Sequence, residues 1–106
     1  MSYPAKYPFT LTRSNQCRMG ATESEMYFEG VASYFCDKDT QEAWWEVEAH
    51  LTGFAQFQDG KKASGFEGMK IPAQDVVHPF GWASFEAECV ERACFEYELK
   101  MTKKAA

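Results

Sequence analysis

The chain reads as a mainly β protein, a single small domain spanning residues 1–106. The expected architecture is an antiparallel meander forming a strongly bent sheet, half-barrel or small sandwich. At most one short helical turn is expected, near 72–79. Three observations predict this. Residues 43–57 alternate: Trp45, Val47, Ala49 and Leu51 fall on one side, Glu46, Glu48 and His50 on the other. A period of two sends successive side chains to opposite faces of a sheet. Asp59-Gly60 then stands between two such runs, the short-range signature of a hairpin. Finally, 16% of the residues are aromatic, a composition that favours pleated, half-buried surfaces and argues against disorder.

The elements follow in order. Residues 7–12 alternate weakly, with Tyr7, Phe9 and Leu11 on one side. Pro8 cannot donate a ladder hydrogen bond, so this is an edge strand. Residues 13–24 are polar and read as loop. The next strand is 25–36, with Met26, Phe28, Ala32, Tyr34 and Cys36 on its apolar side. Gly30 in its middle marks a bulge or a close neighbour. A six-residue connection, 37–42, sets Cys36 opposite Ala43, Tyr34 opposite Trp45, Ala32 opposite Val47 and Phe28 opposite Leu51. That register keeps both apolar sets on one side, as a buried face demands. On the other side it pairs Phe35 with Trp44 and Glu29 with His50.

After Asp59-Gly60 a fourth strand, 62–71, returns. A three-residue loop with Gly60 left-handed pairs Leu51 with Met69, Ala49 with Ile71 and Phe54 with Phe66. It is preferred to a two-residue loop, which would put Lys62 and Lys70 on the apolar side. Pro72, Pro79 and Gly81 interrupt the pattern. Alternation then resumes over 83–101, where Phe85, Ala87, Cys89, Phe95, Tyr97, Leu99 and Met101 oppose Glu86, Glu88, Glu96 and Glu98. This predicts one long bent strand, or two strand segments joined by a kink. The helical stripe 85, 89, 92, 96, 100 would join Phe, Cys, Arg, Glu and Lys, and is poor. Residues 102–106 are expected to fray. The expected core is Phe28, Tyr34, Trp45, Val47, Leu51, Phe85, Phe95, Tyr97 and Leu99.

Charge narrows the function classes. The net charge is −5 and the basic residues are scattered, apart from Lys61–Lys62 and Lys103–Lys104. Phosphate-binding proteins carry a basic stripe, so direct nucleic-acid binding is disfavoured. No apolar run reaches about 18 residues, and no signal peptide is legible. A cytoplasmic setting with reduced thiols is the expectation for Cys17, Cys36, Cys89 and Cys94. Structural zinc requires four ligands in close pairs, which these cysteines with His50 and His78 do not offer. No metal or cofactor is expected. A cysteine–histidine nucleophile lacks any demanding spacing, and no catalytic residue is assigned.

What remains is a surface. Trp44, Glu46, Glu48, Phe54, Glu86, Glu88, Glu96 and Glu98 share the outward parity, together with Phe35 and Tyr27. Acidic side chains steer an encounter with a basic patch, and aromatic anchors supply binding energy. The reading that follows is a non-enzymatic protein–protein interaction module. It would mask the basic surface of a nucleic-acid-handling enzyme as an inhibitor or immunity-type protein does, with phage counter-defence proteins as the analogy. The alternatives are a barrel-like carrier of a small apolar ligand and a structural subunit joined through sheet edges. A homo-oligomer is compatible with all three.

Overall fold

The computed structural model describes residues 5–16 and 22–105. Four strands, β1 (Ala5–Gln16), β2 (Thr22–Cys36), β3 (Ala43–Gln58) and β4 (Lys61–Pro72), form one antiparallel sheet in the order β1-β2-β3-β4. The meander is the expected one. It does not close into a barrel, since β1 and β4 are both edges. Two 3-10 turns, Ala73–Asp75 and Pro79–Gly81, lead into helix α1 (Trp82–Ala105). Pro8 does sit in an edge strand. The loop expected at 13–24 is strand at both ends, since β1 continues to Gln16 and β2 begins at Thr22; its middle, 17–21, lies outside the described residues.

The β2–β3 register matches the sequence expectation residue by residue: Phe28 faces Leu51, Ala32 faces Val47, Tyr34 faces Trp45 and Phe35 faces Trp44. Its connection is held by Asp37, whose N–H donates to the Glu42 carbonyl at 2.8 Å. The Asp37 carboxylate in turn accepts from the Asp39 N–H at 2.9 Å. Gly30 is indeed a close approach. A side chain there would strike the Glu48 carbonyl oxygen and come within 2.7 Å of the Ala49 Cα.

The β3–β4 hairpin differs from the expectation. Gln58 pairs with Lys61, so the loop has two residues, and Asp59 (φ 52°) and Gly60 (φ 79°) are both left-handed. This is the type I′ geometry that matches strand twist. The lysine conflict that favoured a longer loop is relieved by irregularities further along. The partner jumps from Ser64 to Lys62 between Gln56 and Phe57. It jumps again from Ile71 to Glu67 between Leu51 and Gly53, where Gly68 (φ 88°) makes the bend. Leu51 therefore faces Ile71 rather than Met69. The expected Phe54–Phe66 pair is present.

The expected strand at 83–101 is a helix. Nothing in 82–105 breaks it: neither glycine nor proline occurs, and Ala, Glu, Leu, Lys and Arg are strong helix formers. The stripe that docks α1 is Trp82, Phe85, Cys89 and Ala93, with small residues where the sheet comes close. Phe85, Cys89 and Ala93 are fully buried. They pack against Phe9, Phe28, Ala32, Ala49 and Leu51, and the Phe28 and Phe85 rings meet edge-on at 4.9 Å. Ala73 and Val77 close one end of this core. Phe28, Leu51 and Phe85 are core residues as expected, and Tyr34, Trp45 and Val47 are half-buried. Phe95, Tyr97 and Leu99 are not core: each is nearly half exposed, because a helix sets them on its flanks, outside the stripe that faces the sheet. The tail expected to fray is helical through Ala105.

α1 runs antiparallel to β1 and protects its free edge. The Thr10 N–H and hydroxyl donate to the Glu96 carboxylate at 3.1 and 2.8 Å, and Arg92 Nε donates to the Thr10 carbonyl at 3.1 Å. Arg13 pairs with Glu88 at 3.0 Å and lies over the Phe85 ring.

Leu51→Ala is expected to cost about 2–5 kcal/mol through lost transfer energy and a cavity. Gly30→Ala adds only one methyl to a site with no room, and is expected to cost about 1–3 kcal/mol. Denaturant melts measure both. A Gly30→Ala protein as stable as the parent would show that β2 and β3 do not approach as described.

Candidate functional site

α1 covers one face of the sheet, and the opposite face is uncovered by any other described element. Cross-strand rows build that outer face. Phe35 lies beside Trp44; Lys6, Ser33 and Glu46 form the next row; Pro8, Val31 and Glu48 the next; then Thr10, Glu29 and His50. Beyond the bulge come Thr12, Tyr27, Gly53 and Glu67. The Phe35 and Trp44 rings are stacked, 5.5 Å apart and 11° from parallel, and Trp44 is 42% exposed. A pre-formed stack loses little side-chain freedom on contact with a partner. Further along this face, away from the Phe35–Trp44 stack, lies an open trough of about 1210 Å³ floored by Tyr27, Glu29, Val31 and His50. Leu99 and Lys100 of α1 overhang its β1 rim.

The electrostatics of this face are uneven. On the strands Glu25, Glu29, Glu46, Glu48 and Glu67 outnumber Lys6, Lys62 and Lys70, with the acidic excess at Glu46 and Glu48, whereas in the trough Glu29, Glu67 and Glu96 are matched by Lys70, Arg92 and Lys100. The Tyr27 hydroxyl donates to the Glu25 carboxylate at 2.7 Å. That hydrogen bond, with the nearby negative charges, raises the Tyr27 pKa above its ordinary 10.0 and keeps the phenol neutral.

Of the residues singled out from sequence, Trp44, Glu46 and Glu48 lie together on this face. Phe54 does not. Met26, on the α1 side two residues from Phe28, pairs with Phe54, so the extra residue Thr52 has swung Phe54 to the α1 side. The helical glutamates also leave the group. Glu88 and Glu96 are engaged with Arg13 and Thr10, Glu86 is half-buried beside Trp45 and Val47, and Glu98 is exposed on α1. Glu25 and Glu67 belong to the outer face but were not singled out. Glu25 is legible from the β2 parity it shares with Glu29 and Tyr27. Glu67 depends on the bulge at Gly68, which alternation does not reveal.

The thiols carry no cluster. Among the described residues no group of three or more His, Cys, Asp or Glu is placed to hold a metal ion. Cys36, Cys89 and Cys94 are free thiols; Cys17 lies outside the described residues. Cys89 and Cys94 sit about 140° apart around α1. Burial, reinforced by Glu88, pushes the Cys89 thiol up to about 12. Among the described residues no helix is long and apolar enough to cross a membrane. No family model, curated protein or solved structure matches the chain.

Cys89 has a folded pKa raised above the ordinary 9.0, so the stability it contributes is complete below pH 9 and is lost as pH climbs toward 12. The slope approaches about 1.4 kcal/mol per pH unit within that window. Cys89→Ala is expected to flatten the alkaline fall in stability between pH 9 and 11 relative to the parent. Peptide mapping after brief alkylation at neutral pH is expected to find Cys94 labelled well before Cys89. Equal labelling would mean that the α1–sheet interface opens readily.

Proposed function

We propose that the protein is a non-enzymatic interaction module that docks a partner protein through the outer face of its sheet. The partner surface is basic, of the kind that lines the groove of a nucleic-acid-handling enzyme, and the outcome of docking is its occlusion. The observation that carries this reading is the exposed Phe35–Trp44 stack beside Glu46, Glu48 and Glu29, on a face that α1 leaves open. Exposed carboxylates act over about a Debye length, roughly 8 Å at physiological salt, and so steer the encounter. The ring stack, rigid before contact, is the anchor.

The carrier alternative loses its motivation. The sheet is open, and α1 packs over the small residues Ala32 and Ala49 on the face where a barrel would hold a ligand. Joining through sheet edges keeps one avenue, the outer edge of β4.

The test is affinity capture from a host lysate at low and high salt, with parent and Glu46→Lys/Glu48→Lys/Trp44→Ala proteins as bait, followed by binding kinetics on what the parent alone retains. Reversing Glu46 and Glu48 is expected to slow association about tenfold at low salt and to flatten its salt dependence. Trp44→Ala is expected to act on dissociation. Stability of the glutamate variants is expected within about 0.5 kcal/mol of the parent. If the triple variant retains the same proteins at the same rates, the outer face is only a solvated surface.

A further inference from the structure

α1 carries a second apolar stripe that its own sheet does not use. Ala83, Ala87, Val90, Cys94, Tyr97 and Met101 follow one another at spacings of four, three, four, three and four. That is the heptad alternation by which one helix receives another. On a helical wheel this seam is centred about 115° from the direction that faces the sheet. Ala83 and Ala87 are exposed, and Tyr97 and Met101 are 47% and 49% exposed. Over residues 83–101 the seam is about 27 Å long.

Its position is defined by what lies below it. Val90 and Ala87 share a groove with Trp45 and Val47 of β3, and Tyr97 meets Tyr7 edge-on at 5.1 Å. α1 packs mainly on β1 and less on β2 and β3, so the β3 side of this face keeps a shelf alongside the helix. Shelf and seam together form a corner with one apolar floor and one apolar wall, the shape that an amphipathic helix fills.

The charges along the corner select the occupant. In the heptad, Glu91 and Glu98 directly follow seam positions and are exposed, and Glu86 directly precedes one and reaches into the groove. Positions flanking an apolar seam decide partner choice. A second α1 in parallel register would bring Glu86 against the partner copy's Glu91, a like-charge contact. An acidic flank instead matches lysine or arginine beside the apolar stripe of a different chain.

We infer that the seam of α1, with the adjoining β3 shelf, is a docking site for a basic amphipathic helix of a partner protein, separate from the outer face of the sheet. The apolar stripe enters the corner and its lysines or arginines meet Glu86, Glu91 and Glu98.

The test uses designed 21-residue peptides with leucine at the two seam positions of each heptad and either lysine or glutamate at both flanking positions. Fluorescence anisotropy measures their binding to the whole protein. The lysine peptide is expected to bind at least tenfold more tightly than the glutamate peptide. Ala87→Glu, a change at an exposed position, is expected to weaken the lysine peptide at least tenfold while melting temperature stays unchanged. Glu91→Lys/Glu98→Lys is expected to invert the preference between the peptides, and it keeps the test intact if Ala87→Glu perturbs folding. Glu46→Lys/Glu48→Lys, on the outer face, is expected to leave peptide binding unaltered, which separates this site from the one proposed above. Absence of binding, equal binding of the two peptides, or loss of binding in the outer-face variant alone would overturn the inference. So would sedimentation of the parent at twice its 12.1 kDa mass with reversion to that mass in Ala87→Glu, because the seam would then be a self-association surface.

Discussion

One helix has to cover a sheet four strands wide, and most of this structure follows from that mismatch. A helix with its side chains is about 10–12 Å across, whereas four strands span about 14–15 Å between the outer strand axes. α1 resolves this by lying over the β1 side, where Phe85, Cys89 and Ala93 meet Phe9, Phe28 and Ala32. The close fit rests on small residues facing each other, Cys89 and Ala93 on the helix and Ala32 on the sheet. Hydrophobic burial there holds the edge strand, and Arg92 and Glu96 bond the outward backbone C=O and N–H of Thr10.

Three surfaces are left over, and they differ in chemistry. The outer face is acidic with an aromatic stack. The corner beside α1 is apolar with an acidic flank. Phe54 and Phe66 form a small exposed pair toward β4. Under the two proposals above, the first two would each receive a basic partner, at sites on opposite sides of the sheet. Two such sites on one rigid scaffold would allow a single partner to wrap the sheet, or two partners to be held at a fixed separation.

Much of the sheet was legible in the sequence. Alternation in two long segments, with a polar connection of known length, defines the β2–β3 register, because a one-residue slip would turn every apolar side chain to water. The bulges were not legible. Thr52 and Gly68 change which residues face which side, and a bulge is decided by how strands twist together, not by the pattern of one of them. Hence Phe54 was placed on the wrong face while its partner Phe66 was identified. The helix was misread for a more specific reason. α1 bears two apolar stripes, Phe85-Cys89-Ala93 and Ala87-Val90-Cys94-Tyr97; Ala87 falls between Phe85 and Cys89, and the exposed Phe95 and Leu99 flank Tyr97, so two short stretches mimic a period of two. The absence of any helix breaker after Gly81 was the better signal. The candidate site suffered accordingly: its sheet members Trp44, Glu46 and Glu48 stay together, and its helical members scatter.

The protection of β1 has a further consequence for how many copies can join. A strand edge is a template, and a sheet with two open edges can add neighbours without limit. Here the helix bars one side, while Lys61, Lys62, the Gly68 bend and Pro72 make the other a poor template along much of its length. Pairing through β4 consumes the one open edge of each participant. Growth by pairing of β4 edges alone would therefore stop at two molecules.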